Sequence, residues 1–205
     1  MILHNDKETF NDLIETTARV LLIPAVFIEK DYWVTYILNS LSKSPYKQTA
    51  IFKGGTSLSK AYKIIDRFSE DIDLAIITNG IDGNAVKSLI KSIEKALLDE
   101  NFEEKNTPQT SKGSKFRKTV HHYPKIIDGN FGHANENLIL ELNSFTKPHP
   151  YINKTISSYI FDFLNTQSEE AKKLIGDFQL EPFEINVLDY KRTLCEKISA
   201  VARAS

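Results

Sequence analysis

The sequence predicts an α/β (α+β) fold, a small mixed β-sheet flanked by helices and continued by a mainly helical C-terminal part. Three observations predict it. Apolar residues recur at helical spacing between Phe10 and Leu41. Segments 49–52, 71–77 and 138–145 are short and apolar or alternating, as strands are. Gly54-Gly55 joins the first of these strands directly to a helix-forming segment.

Taken in order, Phe10, Leu13, Ile14 and Leu21 give a first helix over 8–22. Pro24 stands at or near the start of a second helix, with Ile28, Tyr32, Trp33, Tyr36, Ile37 and Leu41 as its core stripe. Segment 49–52 is a strand running into Gly54-Gly55, and 57–65 a helix. In strand 71–77, Ile72, Leu74 and Ile76 face one way and Asp71, Asp73 and Ala75 the other. Asn79-Gly80 and Asp82-Gly83 are turns, and Asn84 caps a helix over 85–99. Segment 106–113 is a loop, 115–123 a strand edged with cations, and 128–137 a Gly- and Asn-rich connection. Strand 138–145 alternates Leu138, Leu140 and Leu142 with Ile139, Glu141 and Asn143. Segments 155–163 and 168–175 are weaker; 184–188 is a short strand and 191–204 a helix. The expected organisation is a helical segment over 1–48, a core over 49–145 and a mainly helical part over 146–205. The sequence stops inside its last helix with no Gly or Pro stop signal, so a truncated or longer parent chain is expected.

The 205 residues include 41% hydrophobic and 26% charged residues, an ordinary balance for a folded chain that argues against disorder. The formal net charge of -1 gives no overall steering toward phosphates, so any nucleic-acid contact needs a local patch. Cys195 is the single cysteine, which excludes an intrachain disulfide and a multi-thiolate metal site. It fits a reducing, cytoplasmic setting. Residues 1–6 lack the apolar run of a signal peptide, and Val20-Leu21-Leu22-Ile23 is cut short by Pro24.

The chemistry concentrates between Phe52 and Leu74. Two carboxylates at i and i+2 of a strand, Asp71 and Asp73, share a face and repel each other unless a counter-charge sits between them. Divalent cations such as Mg²⁺ or Mn²⁺ would relieve that repulsion, and two of them can clamp the attacking and leaving oxygens of a phosphoryl-type displacement. Gly54 and Gly55 open a helix whose free N–H groups suit a triphosphate, with the Thr56 and Ser57 hydroxyls as further hydrogen bonders. A lone Asp-x-Asp is commonly a solvated strand edge and a lone Gly-Gly a turn. The ordered combination carries the weight.

Phe52-Lys53-Gly54-Gly55-Thr56-Ser57-Leu58 and Arg67-Phe68-Ser69-Glu70-Asp71-Ile72-Asp73 resemble the first two motifs of the nucleotidyltransferase superfamily, the DNA polymerase β-like fold. They are similar in particular to those of the AbiEii toxins of type IV toxin–antitoxin systems. Glu29-Lys30-Asp31-Tyr32-Trp33-Val34 looks like that family's N-terminal helix motif, and Arg192-Thr193-Leu194-Cys195-Glu196-Lys197 like its later Arg-Thr-x-x-Glu-Lys motif. The resemblance implies transfer of NMP from an NTP to an RNA hydroxyl, such as the 3′ end of tRNA, and a cognate antitoxin. It implies that Asp71 and Asp73 bind metal, that Gly54, Gly55 and Thr56 or Ser57 cradle phosphates, and that Lys197 contacts the nucleotide's phosphates. A further acidic motif of the family has no counterpart before Ser205.

Such enzymes often take a third carboxylate from a neighbouring strand, for which Glu141 is the candidate, against the reading of a solvated strand residue. Ser69 either orients the metal site, is a self-modification target as in related toxins, or caps a turn, the last being the simplest. Lys112, Lys115, Arg117, Lys118, His121, His122 and Lys125, interleaved with Phe116 and Tyr123, form either an RNA-tracking patch or a charged edge strand. His121-His122 is no zinc site, because adjacent strand residues face opposite ways. Trp33, Tyr32 and Tyr36 are packing or a partner surface. Glu29, Lys30 and Asp31 are candidates to organise the site through ion pairs. Rival readings are a phosphotransferase using the same site, and a catalytically silent nucleotide- or partner-binding module.

Overall fold

A computed structural model describes residues 1–65, 71–132 and 134–204. After a short 3₁₀ turn, α1 (Lys7–Leu21) and α2 (Ala25–Lys43) lead into β1 (Ala50–Lys53), α3 (Gly54–Lys60) and β2 (Asp71–Ile76). Next come α4 (Gly83–Leu97), β3 (Glu103–Lys105), β4 (Ser111–Lys112), β5 (Phe116–His122) and β6 (Leu138–Asn143). The C-terminal part holds β7 (Tyr151–Ile156), α5 (Tyr159–Leu164), α6 (Glu169–Asp177), β8 (Phe183–Leu188) and α7 (Tyr190–Ala204).

Among the described residues the strands form one mixed sheet in the order β3-β5-β6-β2-β1-β8-β7, with β4 also paired to β5. The pairs β1–β8 and β2–β6 are parallel, and β1–β2, β5–β6 and β7–β8 are antiparallel. This is the expected mixed sheet flanked by helices with a helical C-terminal region, and two of its strands, β7 and β8, come from that region.

The alternation in β2 and β6 sends Ile72, Leu74, Ile76, Leu138, Leu140 and Leu142 into the core, each at most 2% exposed. Helix α2 is buried along most of its length and packs on α1, α4, α5 and β8. Its Trp33 is fully buried, in contact with His4, Phe10, Phe102 and Tyr123. The aromatic residues of α2 are therefore packing, each ring contact adding about 0.5–1.5 kcal/mol beyond area burial.

Several elements differ from the sequence reading. Asp82, not Asn84, occupies the N-cap position of α4, because the helix begins two residues earlier at Gly83. Helix α3 begins at Gly54 rather than at Ser57 and ends at Lys60, and the chain then passes through a left-handed Lys63 (φ 53°). Strand β5 lies inside the sheet between β6 and β3/β4, so it is not an edge. Strands β3 and β7, which the sequence left unassigned, are the true edges, and their exposed residues show no inward apolar alternation.

Candidate active site

Residues directly opposite one another on neighbouring strands project from the same face of a sheet. Lys53 of β1 lies opposite Asp73 of β2, Asp73 opposite Glu141 of β6, and Glu141 opposite Lys118 of β5. Four charged residues thus form one transverse row in the order cation, carboxylate, carboxylate, cation. Asp71, two residues from Asp73 on β2, shares the face. Phe52, Ile72, Leu74, Leu140 and Leu142 take the opposite face and hold the strands on the core.

The Gly54-Gly55 turn closes over this row. Gly54 has φ +79°, and a Cβ built on it would lie 1.9 Å from Asp73 Oδ2. Glycine is required there twice, for the left-handed backbone and for the space the carboxylate fills. Thr56 Oγ1 donates to the backbone carbonyl of Asp71 at 2.5 Å, and Ser57 Oγ to that of Gly54 at 2.8 Å. The Thr56 bond ties the start of α3 to β2, and the Ser57 bond closes within the first turn of α3.

Burial pushes Asp73 up to about 7, and the Glu141 and Asp71 carboxylates push the same way, while Lys53 and Lys197 pull it down. Asp71 and Glu141 thus add their charges to the effect of burial at Asp73. Helix α7 reaches the site from the far end of the chain. Its Lys197 is exposed and within electrostatic range of Asp73, and its Glu196 accepts from Lys53 Nζ at 2.7 Å. Arg192 Nε lies 3.5 Å from the same Glu196 carboxylate.

Among the described residues, no three His, Cys, Asp or Glu side chains are grouped so as to hold a metal ion. The donors that are present still fit a hard divalent cation. Two carboxylates on one face, one of them pressed into a glycine-lined recess, leave the remaining positions for water and phosphate oxygens, as Mg²⁺ prefers.

The fold therefore brings together Asp71, Asp73, Glu141, Gly54, Gly55 and Lys197. Ser69, with Arg67 and Glu70, lies outside the described residues. Sequence reasoning gave no role to Lys53, Glu196 or the alignment of Lys118 with Glu141. The signal for Lys53 was available, since it ends an apolar strand beside core residue Phe52 and must leave the core face.

The basic stretch divides by strand parity. Arg117 Nε bonds Glu94 of α4 at 2.5 Å, Thr119 Oγ1 donates to the same carboxylate at 3.0 Å, and His121 Nε2 lies 2.9 Å from Thr119 Oγ1. Those three residues belong to the core-side network. Lys112 pairs with Glu104 and Lys125 with Glu136. Phe116 and Lys118 remain on the site face.

Glu29, Lys30 and Asp31 are buried and tie segments together. Glu29 accepts from the N–H groups of Ile126 and Ile127 at 2.7 and 3.2 Å, and Lys30 Nζ donates to the Asn135 carbonyl. Asp31 pairs with Lys60 at the end of α3 and accepts from the Tyr159 N–H at the start of α5. Through Lys60, Asp31 fixes the helix that carries the Gly-Gly turn.

A comparison with curated proteins gives no match. No described helix is long and apolar enough to cross a membrane. The family model described as the nucleotidyl transferase AbiEii toxin of type IV TA systems matches residues 36–205, which include the Gly-Gly turn, the Asp pair, Glu141 and the Glu196-Lys197 helix but not Glu29–Val34. With most of its length matched, the chain belongs to the AbiEii nucleotidyltransferase toxin family.

Proposed function

We propose that the chain transfers NMP from an NTP to an RNA hydroxyl, with the tRNA 3′ end as acceptor, and is restrained by a cognate antitoxin in the cytoplasm. The observation that carries this reading is the row Lys53–Asp73–Glu141–Lys118 under the Gly54 turn. Residues 49–145 form the catalytic core, 1–48 support it, and 146–205 supply the α7 contribution. Asp71 and Asp73 hold Mg²⁺ or Mn²⁺, which when bound supplies Lewis-acid stabilisation of phosphoryl oxygens. The N–H groups of the Gly54-Gly55 turn bind the triphosphate, and Lys197 offsets charge on the departing pyrophosphate. Glu141 accepts the proton of the attacking hydroxyl as its oxygen bonds to the α-phosphorus and the α–β bridging bond breaks. The Lys53–Glu196 pair anchors α7 so that Lys197 stays within reach.

The test is incubation with Mg²⁺, total tRNA and each α-labelled NTP in turn, beside the Asp71→Ala/Asp73→Ala variant. Label in RNA with the wild type alone establishes the transferase and names the nucleotide. Absence of α-label transfer, together with transfer from γ-labelled ATP, would replace this reading with a phosphotransferase. Nucleotide binding without any transfer would leave a silent binding module.

A further inference from the structure

The row of charges gives the site a direction. Nucleotide phosphates belong at the β1–α3 side, under Gly54 and Gly55. An attacking oxygen must enter roughly in line with the leaving group, and so from the β6–β5 side. There the face carries Lys118, directly opposite Glu141, and Phe116, one step further along β5 and opposite Asn143. Two inter-strand steps separate Lys118 from Asp73, about 10 Å. That is a little over one nucleotide step from the reacting centre. Lys118 is half-buried, and its ammonium has no ion-pair or hydrogen-bond partner among the described residues. Phe116 stacks on Phe145, with ring centroids 5.8 Å apart and planes inclined by 16°. Phe145 is 65% exposed, which leaves its ring accessible to a ligand. Lys115 and Lys147, both exposed, flank the pair in sequence.

We infer that Phe145, backed by Phe116, and Lys118 form the acceptor subsite, with a base of single-stranded RNA on the Phe145 ring and an adjoining phosphate on the Lys118 ammonium. A cation and an aromatic ring side by side match the two features that every nucleotide of a strand presents, and such stacking tolerates any base. Phe116 holds the Phe145 ring flat for stacking. This inference rests on the transferase reading for the site's direction and assigns a substrate class to its open side.

The test measures equilibrium binding of a 5′-fluorescein-labelled, single-stranded 12-nucleotide RNA by anisotropy, and of an unhydrolysable NTP with Mg²⁺ in parallel. The proteins are the wild type, Phe145→Ala and Lys118→Gln. Phe145→Ala is expected to weaken RNA binding about tenfold. Lys118→Gln is expected to lower the slope of log affinity against log salt by about one. NTP affinity should stay within twofold for both, and in single-turnover transfer the acceptor KM should rise more than kcat falls. Phe145 is exposed, so its variant is expected to keep the fold, and a thermal melt checks it. RNA binding and salt slope unchanged in both variants would overturn the subsite while leaving the transferase reading intact. Failure of the wild type to bind RNA, with NTP binding retained, would overturn the subsite and the RNA acceptor together. Loss of NTP binding in the wild type would instead strike the transferase reading, which the parallel titration reads separately.

Discussion

The two faces of strands β1, β2, β6 and β5 contrast sharply although they are built from alternate residues of the same segments. On the core face Phe52, Ile72, Leu74, Leu140 and Leu142 are buried, and the polar groups beside them are paired, Arg117 and Thr119 with Glu94. On the site face burial, reinforced by the Glu141 and Asp71 charges, pushes Asp73 up to about 7. One face pairs its charged Arg117 within the fold; the other sets like charges beside one another. Stability and function are thus separated by strand parity, and adjacent residues such as Asp73 and Leu74 should respond to substitution in opposite ways.

The largest effect should come from Asp73→Asn. Removing one carboxylate from the crowded face should lower nucleotidyl transfer at least about 10³-fold, roughly 4 kcal/mol, while the melting temperature holds or rises. A loss of stability comparable to a core substitution would break the contrast. Leu74→Ala, one residue along, should cost about 3 kcal/mol in a denaturant titration, with kcat per folded molecule near that of the wild type. Gly54→Ala should affect both properties, since its methyl group must displace the Asp73 carboxylate and its φ is left-handed. A destabilisation of about 2–3 kcal/mol is expected, with transfer reduced further than stability explains. The smallest effect belongs to Glu29, which burial raises to about 6 despite its two backbone hydrogen bonds. Its folded-state value lies above the ordinary 4.5, so the folded protein binds the proton more tightly. Stability from this group is present below pH 4.5 and falls as pH rises through about 6, by on the order of 2 kcal/mol. Glu29→Gln should flatten that part of the stability–pH curve measured by urea unfolding.

Much of the fold and part of the site were legible because periodicity reports burial. Alternation set Asp71 and Asp73 on one face of β2 and Glu141 opposite the leucines of β6, but that these faces coincide came only with the β2–β6 register. The Gly-Gly turn was legible because glycine is what a strand-to-helix reversal under a carboxylate requires. Strands β3 and β7 were not, because edge strands with exposed residues carry no alternation. The hydrogen-bond partners of the Thr56 and Ser57 hydroxyls depended on which carbonyl lay within reach, which spacing alone does not encode. Parity was also the key to the basic stretch: Arg117 and Lys118 are neighbours in sequence but stand on opposite faces, so reading the run as a single patch merged two different environments.

The Lys53–Glu196 pair joins residues 143 positions apart. Strands β1 and β2 are close in the chain and can pair early, since nearby contacts cost little loop entropy. The partner that anchors Lys53, and the cation beside Asp73 on the same helix, are synthesised long after β1 and β2, because α7 follows them in the chain. A nascent chain of this protein therefore carries its carboxylates long before it can complete the constellation around them. That constellation is complete only once α7 has emerged, a built-in delay in a chain of a toxin family.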